Sequence, residues 1–262
     1  PRTRMGKFTV NLVSNALMQI YPTNTMASFK TQLPVPIELD DTWTAALSEI
    51  SFPSIINNVT DGRISFCIAK KHAKQRVLET QIKLGAYTSV DAIMKEIERV
   101  TFGSDGKKQL TWAIDNETQI LQVQLLEKSF ITLRSKNLKN ILGFTDDKPW
   151  VGPNTDKNPI TANFPVDLQA GRHSMYVYCD LLGNEILGDK ITQLLRVVPM
   201  SSLKQHRGPT TYLSVSNPQF KSISKKYFHD VHIKLCDETG DIIPFLGVGR
   251  TNLTLLFKRL KL

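Results

Sequence analysis

The stretch Gly103-Ser104-Asp105-Gly106-Lys107-Lys108 comes nearest to a phosphate-binding loop, because glycines followed by lysine are what a backbone cradle for phosphate needs. It has two residues too few between its glycines and follows a helical pattern instead of a strand, so it reads as a polar loop. Gly247-Val248-Gly249-Arg250-Thr251-Asn252 opens like a dinucleotide fingerprint. It lacks the third glycine and leads into a strand, which removes the helix dipole that motif relies on. Asp40-Asp41 and Asp146-Asp147 are the candidate acid/base pairs, but adjacent residues diverge in extended chain and both pairs lie in loop-like sequence. His229 and His232 are three apart, a spacing that sends them to opposite faces of a regular strand and separates them as metal ligands. His173 lies beside Ser174 without the Gly-x-Ser-x-Gly elbow or placed acid of a hydrolase. No catalytic residue, metal or cofactor is therefore expected, and the chain reads as a non-enzyme.

Cys67, Cys179 and Cys236 form no Cys-x-x-Cys pair and fall in strand-like sequence, which suits buried free thiols in a reducing compartment. Three glycosylation-type sequons start at Asn58, Asn116 and Asn252, and they mean little without a secretory route. The apolar runs are short and broken by charge, so neither a membrane span nor a secretory signal is expected.

Net charge is +9, and residues 132–262 carry +7 of it. Basic stretches occur at Lys70/Lys71/Lys74/Arg76 and Lys221/Lys225/Lys226, and at both chain ends: Arg2, Arg4 and Lys7, and Lys258, Arg259 and Lys261. If the two ends emerge on the same side, these six terminal charges form a nucleic-acid-facing patch that neutralises phosphate without reading sequence. The alternative is that the lysines solvate strand edges and block edge-to-edge pairing; aromatic residues are not regularly interleaved with the charges as single-strand binding needs.

The elements that must position these residues are mostly short strands: 8–14, 43–51, 63–70, 174–181, 192–198, 212–215, 231–236 and 252–257. Val231, Ile233 and Leu235 alternate with His232 and Lys234, the period-two pattern of a strand with one buried face. Asp237 to Asp241 reads as a hairpin-like turn between the last two strands. One region departs from this rhythm. Val90, Ile93, Met94, Ile97 and Val100 recur at helical spacing, predicting a helix over 89–101 capped by Thr88-x-x-Asp91. A hairpin over 109–114 and 119–125, a strand at 130–133 and a short helix at 136–142 ending at Gly143 complete an α+β insertion. The expected division is a discontinuous β domain of residues 1–78 and 146–262, an inserted subdomain of 79–145, and a linker over 149–165. Periodicity supports an antiparallel sandwich.

Residues 173–199, HSMYVYCDLLGNEILGDKITQLLRVVP, place an aromatic-rich strand, a polar turn and a second strand in one block. Further segments fall in a fixed order: Phe8 to Leu12, Ser14-Asn15-Ala16, Tyr21-Pro22, Asn24-Thr25, Phe29, Leu33, Pro36-Ile37, Leu39, Trp43, Ala46-Leu47 and Glu49-Ile50. Gly85-Ala86-Tyr87, Ile141 to Phe144, Pro244-Phe245 and Leu253 to Phe257 continue it. In these segments the chain resembles the minor capsid (penton) proteins of Polinton/Maverick elements and virophages. The resemblance implies a mainly β fold, a single jelly-roll antiparallel sandwich with the small α+β insertion. It implies a homopentamer at the five-fold vertices of an icosahedral particle, partnered by the major capsid protein, located in the virion and assembled inside the host cell; the basic charge adds packaged DNA as a partner through non-specific contacts. The readings from other classes are a basic nucleic-acid-binding β-protein, motivated by charge, and a lectin-like carbohydrate-binding module, which the same sandwich could support.

Overall fold

A computed structural model describes residues 6–40, 42–68, 77–103, 109–154, 157–200 and 209–260. The chain opens with β1 (Lys7–Val13), β2 (Ser28–Glu38) and β3 (Trp43–Pro53). Then come β4 (Arg63–Ile68), β5 (Leu78–Gln81), α1 (Val90–Phe102), β6 (Leu110–Ile114), β7 (Ile120–Leu125), β8 (Ser129–Leu133), α2 (Lys136–Leu142), β9 (Trp150–Val151) and β10 (Ile160–Pro165). It closes with β11 (Ser174–Cys179), β12 (Glu185–Leu187), β13 (Lys190–Thr192), β14 (Leu194–Pro199), β15 (Thr210–Ser214), β16 (Lys221–Ser222), β17 (Tyr227–Cys236) and β18 (Asn252–Arg259). The chain folds as two compact units: Pro1–Ile56 with Arg172–Leu262, and Asn57–Gly171.

The first unit is a jelly roll, and its strand order establishes this. One sheet runs β1-β18-β3-β15, with β16 also on β3, and the other β14-β11-β17-β2; every pairing is antiparallel. Setting aside the two-residue β16 and the β12–β13 ribbon, successive strands change sheet except from β11 to β14, which yields the eight-strand, two-sheet arrangement of two Greek keys. Alternation drives it: Val231, Ile233 and Leu235 of β17 and Leu253, Leu255 and Phe257 of β18 face one shared core. Phe257 stacks on Phe8 with centroids 4.6 Å apart and lies 6.1 Å from Phe228, linking the two sheets.

Three sequence expectations are corrected in this unit. The turn at 237–241 forms, with the Asp237 N–H donating to Asp241 O at 2.9 Å, but β17 and β18 do not pair, because the chain crosses to the other sheet. The polar turn inside 173–199 is a small β12–β13 hairpin of its own. And β2 is a strand that the sequence pattern does not announce, because Pro34 and Pro36 look like loop residues; they are tolerated because β2 is an edge strand.

The second unit holds two sheets, β5-β4-β8-β9 and β10-β7-β6, with both helices. Ile93, Met94 and Ile97 of α1, Ile141 and Leu142 of α2, and alternate residues of β7 share its core. The cap of α1 is Ser89, whose Oγ accepts from the Ala92 N–H at 3.2 Å, one residue later than the predicted Thr88 box. α2 spans the predicted residues and ends at Gly143, φ 80°, where a Cβ would lie 2.0 Å from the Phe164 carbonyl oxygen. The expected bounds of 79 and 145 fall inside this unit. β4 pairs with β8 and β10 with β7, so Val59, Ile64, Phe66, Trp150 and Ala162, all outside those bounds, belong to its core, and 149–165 contains two strands instead of a linker.

Replacing the fully buried Ile97 by Asp strands a charge among aliphatic side chains and should cost on the order of 4 kcal/mol. Hydrogen exchange should show protection lost over 57–171 while the amides of β3 and β18 keep theirs. Simultaneous loss across the chain would contradict two separable units. Gly143→Ala should destabilise the same unit, because the added methyl meets backbone and the αL conformation disfavours a side chain.

Candidate functional site

The register of the first sheet brings the chain ends together. Lys7 of β1 lies opposite Lys258 of β18, Lys258 opposite Thr44 of β3, and Thr44 opposite Ser222 of β16, so one row crosses four strands. Arg259 pairs with Trp43, and its backbone N–H donates to Gly6 O at 3.0 Å. Three of the six predicted phosphate-facing residues, Lys7, Lys258 and Arg259, thus share one end of the sandwich, and Arg2, Arg4 and Lys261 lie outside the described residues.

Their surroundings differ. The Arg259 guanidinium donates to Asp40 Oδ2 at 2.6 Å and to Thr42 Oγ1 at 2.9 Å, so its charge is matched locally. The Thr42 hydroxyl and backbone N–H, with Arg259 behind them, hold the Asp40 carboxyl below its ordinary value of 3.8. Lys258 Nζ sits 5.4 Å from the centre of the Phe220 ring, and Lys258 has no carboxylate partner among the described residues. Lys221, which the sequence marks only as part of a basic stretch, joins this end through the pairing of β16 with Ala45 and is bonded to Glu185. Lys225 is likewise matched, 2.5 Å from Asp180. Periodicity carries no signal for this convergence, because β16 is two residues long.

The histidines need a correction. The β17–β2 register shifts between Phe228 and Asp230; Phe228 and Val231 are both buried, so the residues between them bulge and His229 and His232 reach the same outer groove instead of opposite faces. This groove, about 670 Å3, also presents Tyr21, Lys30, Lys225 and Asp230. The Tyr21 hydroxyl donates to Asp230 Oδ1 at 2.5 Å, which raises its pKa. Burial first, then the Lys234 charge, pushes His232 below the usual imidazole value. Among the described residues no three His, Cys, Asp or Glu side chains converge as metal ligands.

The other chemical candidates are scattered. Asp147 pairs with Lys139 and Asp146 with Lys148, and Gly103 caps α1 while residues 104–108 lie outside the described residues. Residues 247–251 form an irregular segment before β18, and the His173 N–H donates to Glu238. All three cysteines are free and buried, with the Cys179 thiol pushed up to about 12 by desolvation. Among the described residues no helix is long and apolar enough to cross a membrane.

No protein-family model matches the chain, and no curated protein matches it. Among solved structures it is similar to the selenomethionine-labelled mavirus penton protein, with 15% identity and a TM-score of 0.48, over 97% of this chain and 100% of that one. The jelly roll stands on the strand order itself.

Asp40 should titrate below 3.8 by carboxyl NMR, and Thr42→Val should move it back up, since the threonine is the largest cause of the shift. The sign follows from linkage: a depressed carboxyl adds stability that is present above its unfolded pKa and is lost as pH falls through the lower folded value. The Arg259–Asp40 clasp should therefore hold at neutral pH and open only in acid below 3.8. An unshifted Asp40, or no response to Thr42→Val, would contradict this geometry.

Proposed function

We propose that this chain is a non-enzymatic minor capsid protein forming pentameric vertices of an icosahedral virus-like particle, of the Polinton/Maverick and virophage type. The observation that carries the reading is that three of the segments resembling that family pair with one another in the first sheet. Phe8 to Leu12 lie in β1, Trp43 to Ile50 in β3 and Leu253 to Phe257 in β18. Its partners are then copies of itself, the major capsid protein and packaged DNA, in a virion assembled inside the host cell. In this reading the mechanism is geometric: a head-to-tail contact repeated by rotation closes a ring, and the angle it sets fixes the count.

The paired chain ends support the second part of the proposal, that Arg2, Arg4, Lys7, Lys258, Arg259 and Lys261 face nucleic acid inside the particle. The opposed Lys7 and Lys258 favour it, because like charges across a ladder are unfavourable until an anion meets them. Arg259 contributes least, being matched by Asp40.

Mass measurement in solution should find a species of about 148 kDa, five times the 29.6 kDa chain. A purely dimeric or trimeric protein would rule out the vertex reading. Changing the six terminal basic residues to Gln should leave that mass intact while weakening DNA binding and flattening its salt dependence, by roughly one unit of log–log slope for each phosphate left unneutralised. Unchanged DNA affinity would leave the charges as strand-edge protection.

A further inference from the structure

We infer that copies of this chain join through two different surfaces, the β12–β13 hairpin of one copy and the β2 edge of the next. This rests on the ring reading above and assigns the contact that makes the ring.

The hairpin turns at Gly188-Asp189 and pairs Ile186 directly with Ile191. Glu185, on the opposite face of the ribbon, accepts from Lys221, and the Gly183 N–H donates to Ser222 O at 2.9 Å. Both ties run to β16, which pairs with β3 on the same side as β15, so the ribbon is anchored at the β14/β15 side of the sandwich. Its outward face is left with the two isoleucines, 81% and 73% exposed. Two β-branched apolar side chains in water across a two-stranded ribbon add little to the stability of that ribbon, and no core residue of this copy covers them.

A second apolar surface lies on the other side, where β1 and β2 are the edges. Val35 and Tyr227 are each 66% exposed there, and Leu17, Met18 and Ile20 of the β1–β2 connection are exposed as well. The ladder places Tyr227 opposite Glu38, beside the bulge that holds Pro34 to Pro36. Those prolines remove N–H donors, so a neighbour must dock here by side chains instead of by adding a strand.

Because the two surfaces occupy opposite sides of one sandwich, a symmetric contact through either leaves the other in water. A head-to-tail contact covers both, and it is the kind that closes into rings. A standard interface buries about 800 Å2 per partner, a little over half of it apolar, and these exposed side chains supply part of that apolar share. The nearest rim charges in the two ladders are of opposite sign: exposed Lys190 precedes Ile191, and exposed Glu38 pairs with Tyr227.

Two double variants test this, Ile186→Asp with Ile191→Asp, and Val35→Asp with Tyr227→Asp. All four positions are exposed, so both proteins should fold with wild-type melting curves. Native mass spectrometry and sedimentation should find the ring for wild type and monomers for each variant alone. Mixed in equal amounts, the two variants should give heterodimers and nothing larger, because only one intact hairpin and one intact edge remain per pair. Rings surviving either double variant, or a mixture without heterodimers, would overturn the assigned surfaces while leaving the ring reading intact. Wild type that stays monomeric up to about 1 mM would overturn both.

Discussion

The placement of β18 between β1 and β3 is the constraint on which the sandwich depends. β18 is the partner of β1 in its sheet, and it also covers β3 from Trp43 to Ser51. Remove it and one strand loses its ladder while another loses half, leaving backbone groups without partners beside an apolar face. Phe257 fixes the same strand from the side, lying against Phe8 in its own sheet and Phe228 in the other. Ladder and ring contacts thus act on one segment, and the second sheet is held by the core that segment completes.

Everything distinctive at the charged end follows from that placement. Antiparallel pairing of the first and last strands makes the beginning of one lie beside the finish of the other, whatever the intervening chain does. The lysines are therefore neighbours through register, while Asp40 and Thr42, in the short turn from β2 to β3, bind the Arg259 guanidinium. Two kinds of charge result: Arg259 and Lys221 are clasped by carboxylates, while Lys7 and Lys258 are turned to solvent. The separation of the two apolar surfaces comes from the same topology, since β1 and β2 form one side of the roll and β14 and β15 the other.

Local signals are legible in the sequence and long-range ones are not. The helix from Val90 to Phe102 and the turn from α2 into Gly143 are written in 3.6-residue spacing and a glycine at positive φ, so their extents can be read to within a residue or two. β17 announces itself through Val231, Ile233 and Leu235. β2 stays hidden because prolines mark loops locally, while its role is set by a partner strand some 200 residues away. The histidine groove escapes for a related reason: alternation predicts faces only where the ladder is regular, and a bulge between Phe228 and Asp230 breaks it. The convergence of Lys7 and Lys258 needs a register that no window of sequence contains.

The central position of β18 also imposes an order on synthesis. The inserted unit, residues 57–171, has its core complete once its own strands have emerged, and it can fold while translation continues. β1 precedes β18 by about 240 residues and must wait for it, a delay of about 12–48 s at ordinary elongation rates. Throughout it Phe8, Val10 and Leu12 stand on an unpaired strand, open to chaperones and to the wrong partner. Ribosome-bound chains should therefore carry a folded insertion flanked by an unfinished roll, and slower translation of the segment after β11 would lengthen the interval in which aggregation competes with closure.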